Sequence, residues 1–147
     1  MIVPDANLLL YAHNSAAKWH APAQAWLTHC LSGSQTVGLP WSTALAFVRI
    51  STNPRALPRP LTVTEACGEV RGWLARPNVT ILLPGDRHAD ILFGLLEHVG
   101  VAGNLTTAAH LAALAIEYQA ELYSTDVDFS RFPGLRWRNP LKKSSLK

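Results

Sequence analysis

Short apolar runs along this chain alternate with longer segments whose apolar residues recur every three or four positions. The first run, "IVPD" (2–5), predicts a short buried strand ending in an acid. Pro4 donates no ladder hydrogen bond, so it suits only the end of that strand. "ANLLLYAHN" then predicts a helix with Leu8, Leu9 and Tyr11 as apolar positions. Residues 19–31 predict a second helix with Trp19, Ala23, Trp26, Leu27 and Cys30 on one side. Pro22 belongs in its first turn. "TVGLP" (36–40) reads as a strand stopped by proline, and "WSTALAFVRIST" as a helix capped near Ser42. The proline-rich "NPRALPRP" (53–60) is irregular, basic and exposed.

Residues 64–75 predict a helix capped by Thr64, and "VTILL" (79–83) a strand. "GDRHADILFGLLEHVG" predicts a helix that Gly100 ends. In "NLTTAAHLAALA" (104–115), Ala108, Leu111, Ala112, Ala115 and then Ile116 follow the spacing of one helix face. Thr106 or Thr107 supplies the cap there, because a hydroxyl accepts from the unpaired first-turn N–H groups. "ELYSTD" (121–126) is a strand that again ends in an acid, "VDFSRFPG" a turn with aromatic anchors, "LRWRNPL" a last strand, and 142–147 a basic tail. Strands alternating with helices predict an α/β fold with a mainly parallel sheet.

Composition narrows this picture without redirecting it. The 147 residues suggest one domain spanning 1–147, long enough to bury a core without staples. With 48% hydrophobic and 16% charged residues the chain is globular rather than disordered. No apolar run reaches the ~18 residues of a membrane span. The N-terminus has no basic segment ahead of its apolar part, which predicts a cytoplasmic protein. Cys30 and Cys67 have no CxxC spacing and read as reduced thiols. The net charge of +3 permits a polyanionic partner without demonstrating one.

The chemistry gathers at strand ends. Asp5 and Asp126 each stand where a strand gives way to the next element, and in open α/β sheets ligands bind at that edge. Two acids there can share a hard divalent cation such as Mg²⁺ or Mn²⁺. Asp128, two residues beyond Asp126, reaches the same place if the turn folds back. Asn7, Ser124 or Thr125 can orient waters or carboxylates. Taken singly, each acid is more often a helix cap or turn former, and spacing by itself does not overturn that reading. The six histidines are scattered and form no zinc-ligand spacing. There is no phosphate-binding glycine loop and no GxSxG. The five tryptophans suit core or interface better than base stacking; Arg49, Arg55 and Arg59 can contact phosphates, although solvated surface is their default reading.

Three segments together carry a resemblance: "MIVPDANLLLYAHN" (1–14), "FVRISTNPR" (47–55) and "GNLTTAAHLAALAIEYQAELYSTDVDFSRFPGLRWRNPL" (103–141). The chain resembles PIN-domain proteins and, more narrowly, the VapC ribonuclease toxins of VapBC toxin–antitoxin pairs, in the branch abundant in mycobacteria. The resemblance implies a PIN-like α/β/α sandwich. It also implies Mg²⁺- or Mn²⁺-dependent endonucleolytic cleavage of RNA such as tRNA or rRNA, and inhibition by a VapB-type antitoxin. Family members commonly dimerise, and Trp19 and Trp26 would suit a homodimer interface. By position, Asp5 is the family's first acid, Asp126 a late metal-site acid and Asp128 an additional one.

Two positions depart from the pattern. A glutamate that many members carry before the Phe-x-Arg segment is Ala46 here. The central acid of "TTDAHLAALA" is Ala108 in "TTAAHLAALA". A lone acid-to-alanine change in an otherwise family-like segment reads as an inactivated form of a toxin, made or selected. Asp90, on the preceding helix, is a candidate for partial substitution, although a surface role suits it better. The competing expectation is a PIN-fold module that binds RNA or antitoxin without cutting.

Overall fold

A computed structural model describes residues 1–142; beyond Lys142, the anticipated tail lies outside the described residues. Five parallel strands form one sheet: β1 (Ile2–Pro4), β2 (Val37–Pro40), β3 (Val79–Leu82), β4 (Glu121–Tyr123) and β5 (Arg136–Arg138). Their order is β3-β2-β1-β4-β5. The helices are α1 (Ala6–His13), α2 (His20–Ser32), α3 (Trp41–Ser51), α4 (Val63–Leu74), α5 (His88–Val99) and α6 (Leu105–Glu117), with a 3-10 turn over Val127–Arg131. The expected α/β architecture with a parallel sheet is the one observed.

The order of the strands has a functional consequence. From β1 the chain first builds outward through β2 to β3, then returns to place β4 and β5 on the other side. The reversal lies between β1 and β4, so their C-terminal ends border the crevice of a topological switch point. β1 is therefore central, and Pro4 is tolerated there because it is the last strand residue, paired with Tyr123. The buried Thr43 hydroxyl donates to the Pro4 carbonyl at 3.0 Å, which satisfies it where the ladder stops.

Two apolar clusters sandwich the sheet. One joins Val3 and Leu122 to α6, through Leu111, Ala112, Leu114 and Ala115. The other joins Leu8, Leu9 and Leu39 to Phe47, Val70 and Trp73. α6 is buried more widely than a single stripe: Ala109 and every residue from Leu111 to Ala115 are inside, whereas Ala108 and Ile116 are half-buried. Small alanine side chains let the neighbouring elements close on it from several sides.

Three helix starts differ from expectation. α4 begins one residue earlier, capped by Thr62 rather than Thr64; Thr62 Oγ1 accepts from Glu65 N–H and the Glu65 carboxylate accepts from Thr62 N–H. That reciprocal pair fixes the end more firmly than Thr64 could. α3 starts at Trp41 after Pro40, and α6 at Leu105 after Asn104, neither with a side-chain cap from Ser42, Thr106 or Thr107. Gly100 ends α5 in the left-handed region (φ 75°), as its position predicts. Thr62→Ala is expected to lower Tm by about 2–4 °C, measured by calorimetry; no change would mean the cap is redundant.

Cys30 is buried and Cys67 half-buried, and both are free thiols. Burial pushes the Cys30 thiol up to about 11, so it is an inert core group at neutral pH. Among the described residues no helix is long and apolar enough to cross a membrane.

Candidate active site

Asp5 leaves β1 in extended conformation and caps α1: its Oδ1 accepts from Ala6 N–H at 2.8 Å. Its own N–H donates to Tyr123 O at 2.9 Å, which carries the β1–β4 pairing one residue past the strands. The capping role is thus real, and it does not use the other oxygen. Oδ2 accepts from the Ser124 hydroxyl at 2.7 Å.

Ser124 is the hub. It is fully buried at the end of β4, with its N–H donating to Arg138 O and its carbonyl accepting from the Trp137 indole N–H at 2.9 Å. Its hydroxyl donates to Asp5 and accepts from Asn7 Nδ2 at 3.2 Å and from Asp126 N–H at 3.0 Å. One serine therefore ties the first acid, the amide and the late acid together. Asp126 in turn caps the 3-10 turn, its Oδ1 accepting from Asp128 N–H at 2.9 Å. The Asx-type turn read from "TDVDF" is present.

Burial pushes the Asp5 carboxyl above the usual carboxylate range; the Ser124 and Ala6 hydrogen bonds oppose this, and the neighbouring negative charge of Asp126 adds to it. Asn7 Oδ1 is buried without a hydrogen-bond partner among the described residues. An unpartnered amide oxygen near a carboxyl held above its usual range is what a bound cation would satisfy. Such a carboxyl costs folding free energy wherever it ionises. Asp5→Asn is therefore expected to raise the metal-free Tm at neutral pH by a few degrees. A lower Tm would mean the charge is already compensated.

The remaining residues divide cleanly. Asp128 enters these contacts only through its backbone N–H, and its side chain is exposed. Thr125 is half-buried and faces a neighbouring cavity. Asp90 is exposed in the first turn of α5, where an acid complements the helix terminus, and Arg49 is exposed in the last turn of α3. Neither joins the Ser124 network. Ala108 lies in the first turns of α6, half-buried against the cluster that contains Val3. α6 runs into β4 at its C-terminal end, so its start is at the sheet edge where β1 and β4 finish. Position 108 is therefore on the turn of α6 near that edge. Thr43 and Trp137, which hold the two strand ends, carried no sequence signal beyond ordinary core residues.

No profile of a protein family matches the chain. Individual relatives do. Ribonuclease VapC33 of Mycobacterium tuberculosis is 46% identical over 143 residues, 97% of this chain and 100% of the relative. Ribonuclease VapC37 of the same species is 47% identical over 140 residues, covering 95% and 97%. The chain belongs to the VapC ribonuclease toxin family. The VapC fold is confirmed in three dimensions. The FitAB complex bound to a DNA fragment matches with a TM-score of 0.70 at 16% identity, covering 98% of both chains. Mycobacterium tuberculosis VapC20, described as a sarcin–ricin loop-cleaving toxin, matches at 0.65 and 18%, covering 92% and 99%.

Among the described residues no three His, Cys, Asp or Glu side chains gather as a ready-made metal cage. The oxygen set of Asp5, Asn7 and Asp126 still suits Mg²⁺ or Mn²⁺, which accept one or two carboxylates and complete their shell with water and phosphate oxygens.

Proposed function

We propose that this VapC protein is built as a Mg²⁺- or Mn²⁺-dependent endoribonuclease toxin for structured RNA such as tRNA or rRNA. In this reading Ala108 cripples cutting in the present chain. The supporting observation is the Ser124 network, which joins Asp5 and Asp126 across the switch point. Asp5 and Asp126 would hold the cation, with the Asn7 carbonyl oxygen beside them and Asp128 at the rim. When bound, the cation supplies an acidified water and charge stabilisation at phosphoryl oxygens. The chain's own part is positional. Ser124 fixes the Asp5 carboxylate, Trp137 fixes Ser124, and the 3-10 turn aims Asp126.

The partners follow from the same reading. A VapB-type antitoxin would neutralise the toxin, as solved relatives from Rickettsia felis and Haemophilus influenzae are VapBC complexes. A homodimer would cover exposed apolar surface such as Trp41 and Leu45, one turn apart on α3. Trp26 is not available for that purpose: it is half-buried, packed on Tyr123 with ring centroids 5.5 Å apart. Binding without cutting is favoured for this form by Ala108 itself. The deciding experiment is Mn²⁺-dependent digestion of total cellular RNA by the chain and by its Ala108→Asp variant. Discrete fragments from the variant support the nuclease reading. A folded variant that leaves all RNA intact sinks it.

A further inference from the structure

Beside the acids the surface opens into a cavity of about 330 Å³ bounded by Tyr11, Trp19, Thr125, Asn139, Leu141 and Lys142. We propose that it seats one unpaired RNA nucleotide next to the acid cluster, with the base stacked on Trp19 and the backbone phosphate against Lys142. The inference rests on the ribonuclease reading and adds to it a place for a base.

The location comes from the chain itself. Thr125 stands between Ser124 and Asp126, so whatever fills the cavity touches the segment that carries the late acid. Asn139 follows β5, whose Arg138 carbonyl accepts from Ser124 N–H. Its Oδ1 accepts from Leu141 N–H at 3.0 Å, which fixes the side chain and leaves the amide NH₂ to donate. Base edges present carbonyl and ring-nitrogen acceptors to such a donor.

Trp19 is the unusual residue. The sequence pattern put it on the inner side of the second helix, yet it precedes α2 and is 40% exposed. The loop that carries it is pinned, because His20 Nδ1–H donates to the Tyr11 carbonyl at 2.9 Å. The Lys18 ammonium lies 5.1 Å from the Trp19 ring centroid, a cation held over an aromatic face. An anchored indole with lysines at 18 and 142 around it is the composition of a single-stranded nucleic-acid platform, where bases stack and cations follow the phosphates. The volume suits a nucleotide-sized occupant. An acidic peptide fits less well, because Asp126 directly follows Thr125 in the cavity wall.

The test uses the full chain without added divalent cation, so that the RNA stays intact during binding. The probe is a fluorescein-labelled single-stranded oligoribonucleotide of about ten nucleotides, read by anisotropy at low salt and compared with an abasic strand of the same length. Trp19→Ala is expected to weaken binding of the base-bearing strand about tenfold, with an unchanged Tm and no effect on the abasic strand. Trp19→Phe is expected to restore binding. Equal affinity of Trp19→Ala and parent overturns the proposal, as does an equal loss on the abasic strand, which would make Trp19 merely structural. Capture of an acidic peptide through Trp19, with RNA indifferent to it, also overturns it. If Ala108→Asp cuts RNA while Trp19→Ala changes neither its KM nor its sites, the cavity fails and the nuclease reading stands. If Ala108→Asp is folded and does not cut, the nuclease reading fails first.

Discussion

Ala108→Asp is expected to raise Mn²⁺-dependent RNA cleavage by about 100–1000-fold, which corresponds to roughly 3–4 kcal/mol of transition-state stabilisation. The expectation follows from charge and position. Asp5 and Asp126 alone supply two formal negative charges, and Asp5 is held partly against ionisation by burial and by Asp126. In the proposed reading, a third carboxylate at the start of α6 would add a ligand and counter-charge where the present chain has a methyl group. It also crowds like charges, so the metal-free variant should melt below the parent. Mn²⁺ should then raise the Tm of the variant more than that of the parent, because a ligand that binds only the folded state stabilises it by mass action. Two readouts therefore check one idea: fragment formation on a gel, and the difference in Mn²⁺-induced Tm shift. A variant that gains no Mn²⁺ shift would remove position 108 from the cation site even if the fold is intact.

What could be read from the sequence, and what could not, follows physical lines. Short runs such as "IVPD" and "TVGLP" announced buried strands because parallel strands are covered on both faces. Asp5 and Asp126 stood out because they end such strands. The order of the strands was not legible, since it depends on contacts between distant segments; only the fold shows that β1 and β4 flank the reversal and so makes these two acids neighbours. Thr62 was readable in principle, through Glu65 three residues on, and Thr64 looked equivalent only when that partner was ignored. The Ser42, Thr106 and Thr107 caps failed because a hydroxyl inside the first turn points away from the N–H groups it would satisfy as a cap. Trp19 and Trp26, expected on one side of the helix, part company: Trp26 packs on Tyr123, and Trp19 stands exposed under Lys18. Hydrophobic spacing cannot separate those outcomes at the end of a helix. Ser124 was noted as a possible orienting group, but nothing in one dimension says that three partners would converge on its hydroxyl.

That convergence makes Ser124→Ala the most damaging conservative change in the site. Removing the hydroxyl strips the acceptor from Asn7 Nδ2–H and from Asp126 N–H, and the donor from Asp5 Oδ2. Groups left unpaired in or near the interior cost about 1–3 kcal/mol each. Asn7 is only half-buried and Asp126 is exposed, so water recovers part of the loss, and a total of roughly 2–4 kcal/mol is expected from these magnitudes. The loss should depend on pH, and the sign is fixed by Asp5. Its folded pKa is raised, so the stabilisation linked to its neutral form is complete below the unfolded value and fades as pH rises through the folded one. The Ser124 hydroxyl works against that rise; without it the folded pKa moves higher still, and ionising Asp5 at neutral pH becomes more costly. The gap between parent and variant should therefore be widest near neutrality and shrink toward about pH 3, below the unfolded value, where both states hold the proton. Urea denaturation at both pH values measures it. An equal gap at both would show that the hydroxyl supports the strand end alone and leaves the Asp5 charge untouched, and with it would go the central place of Ser124 in the acid cluster.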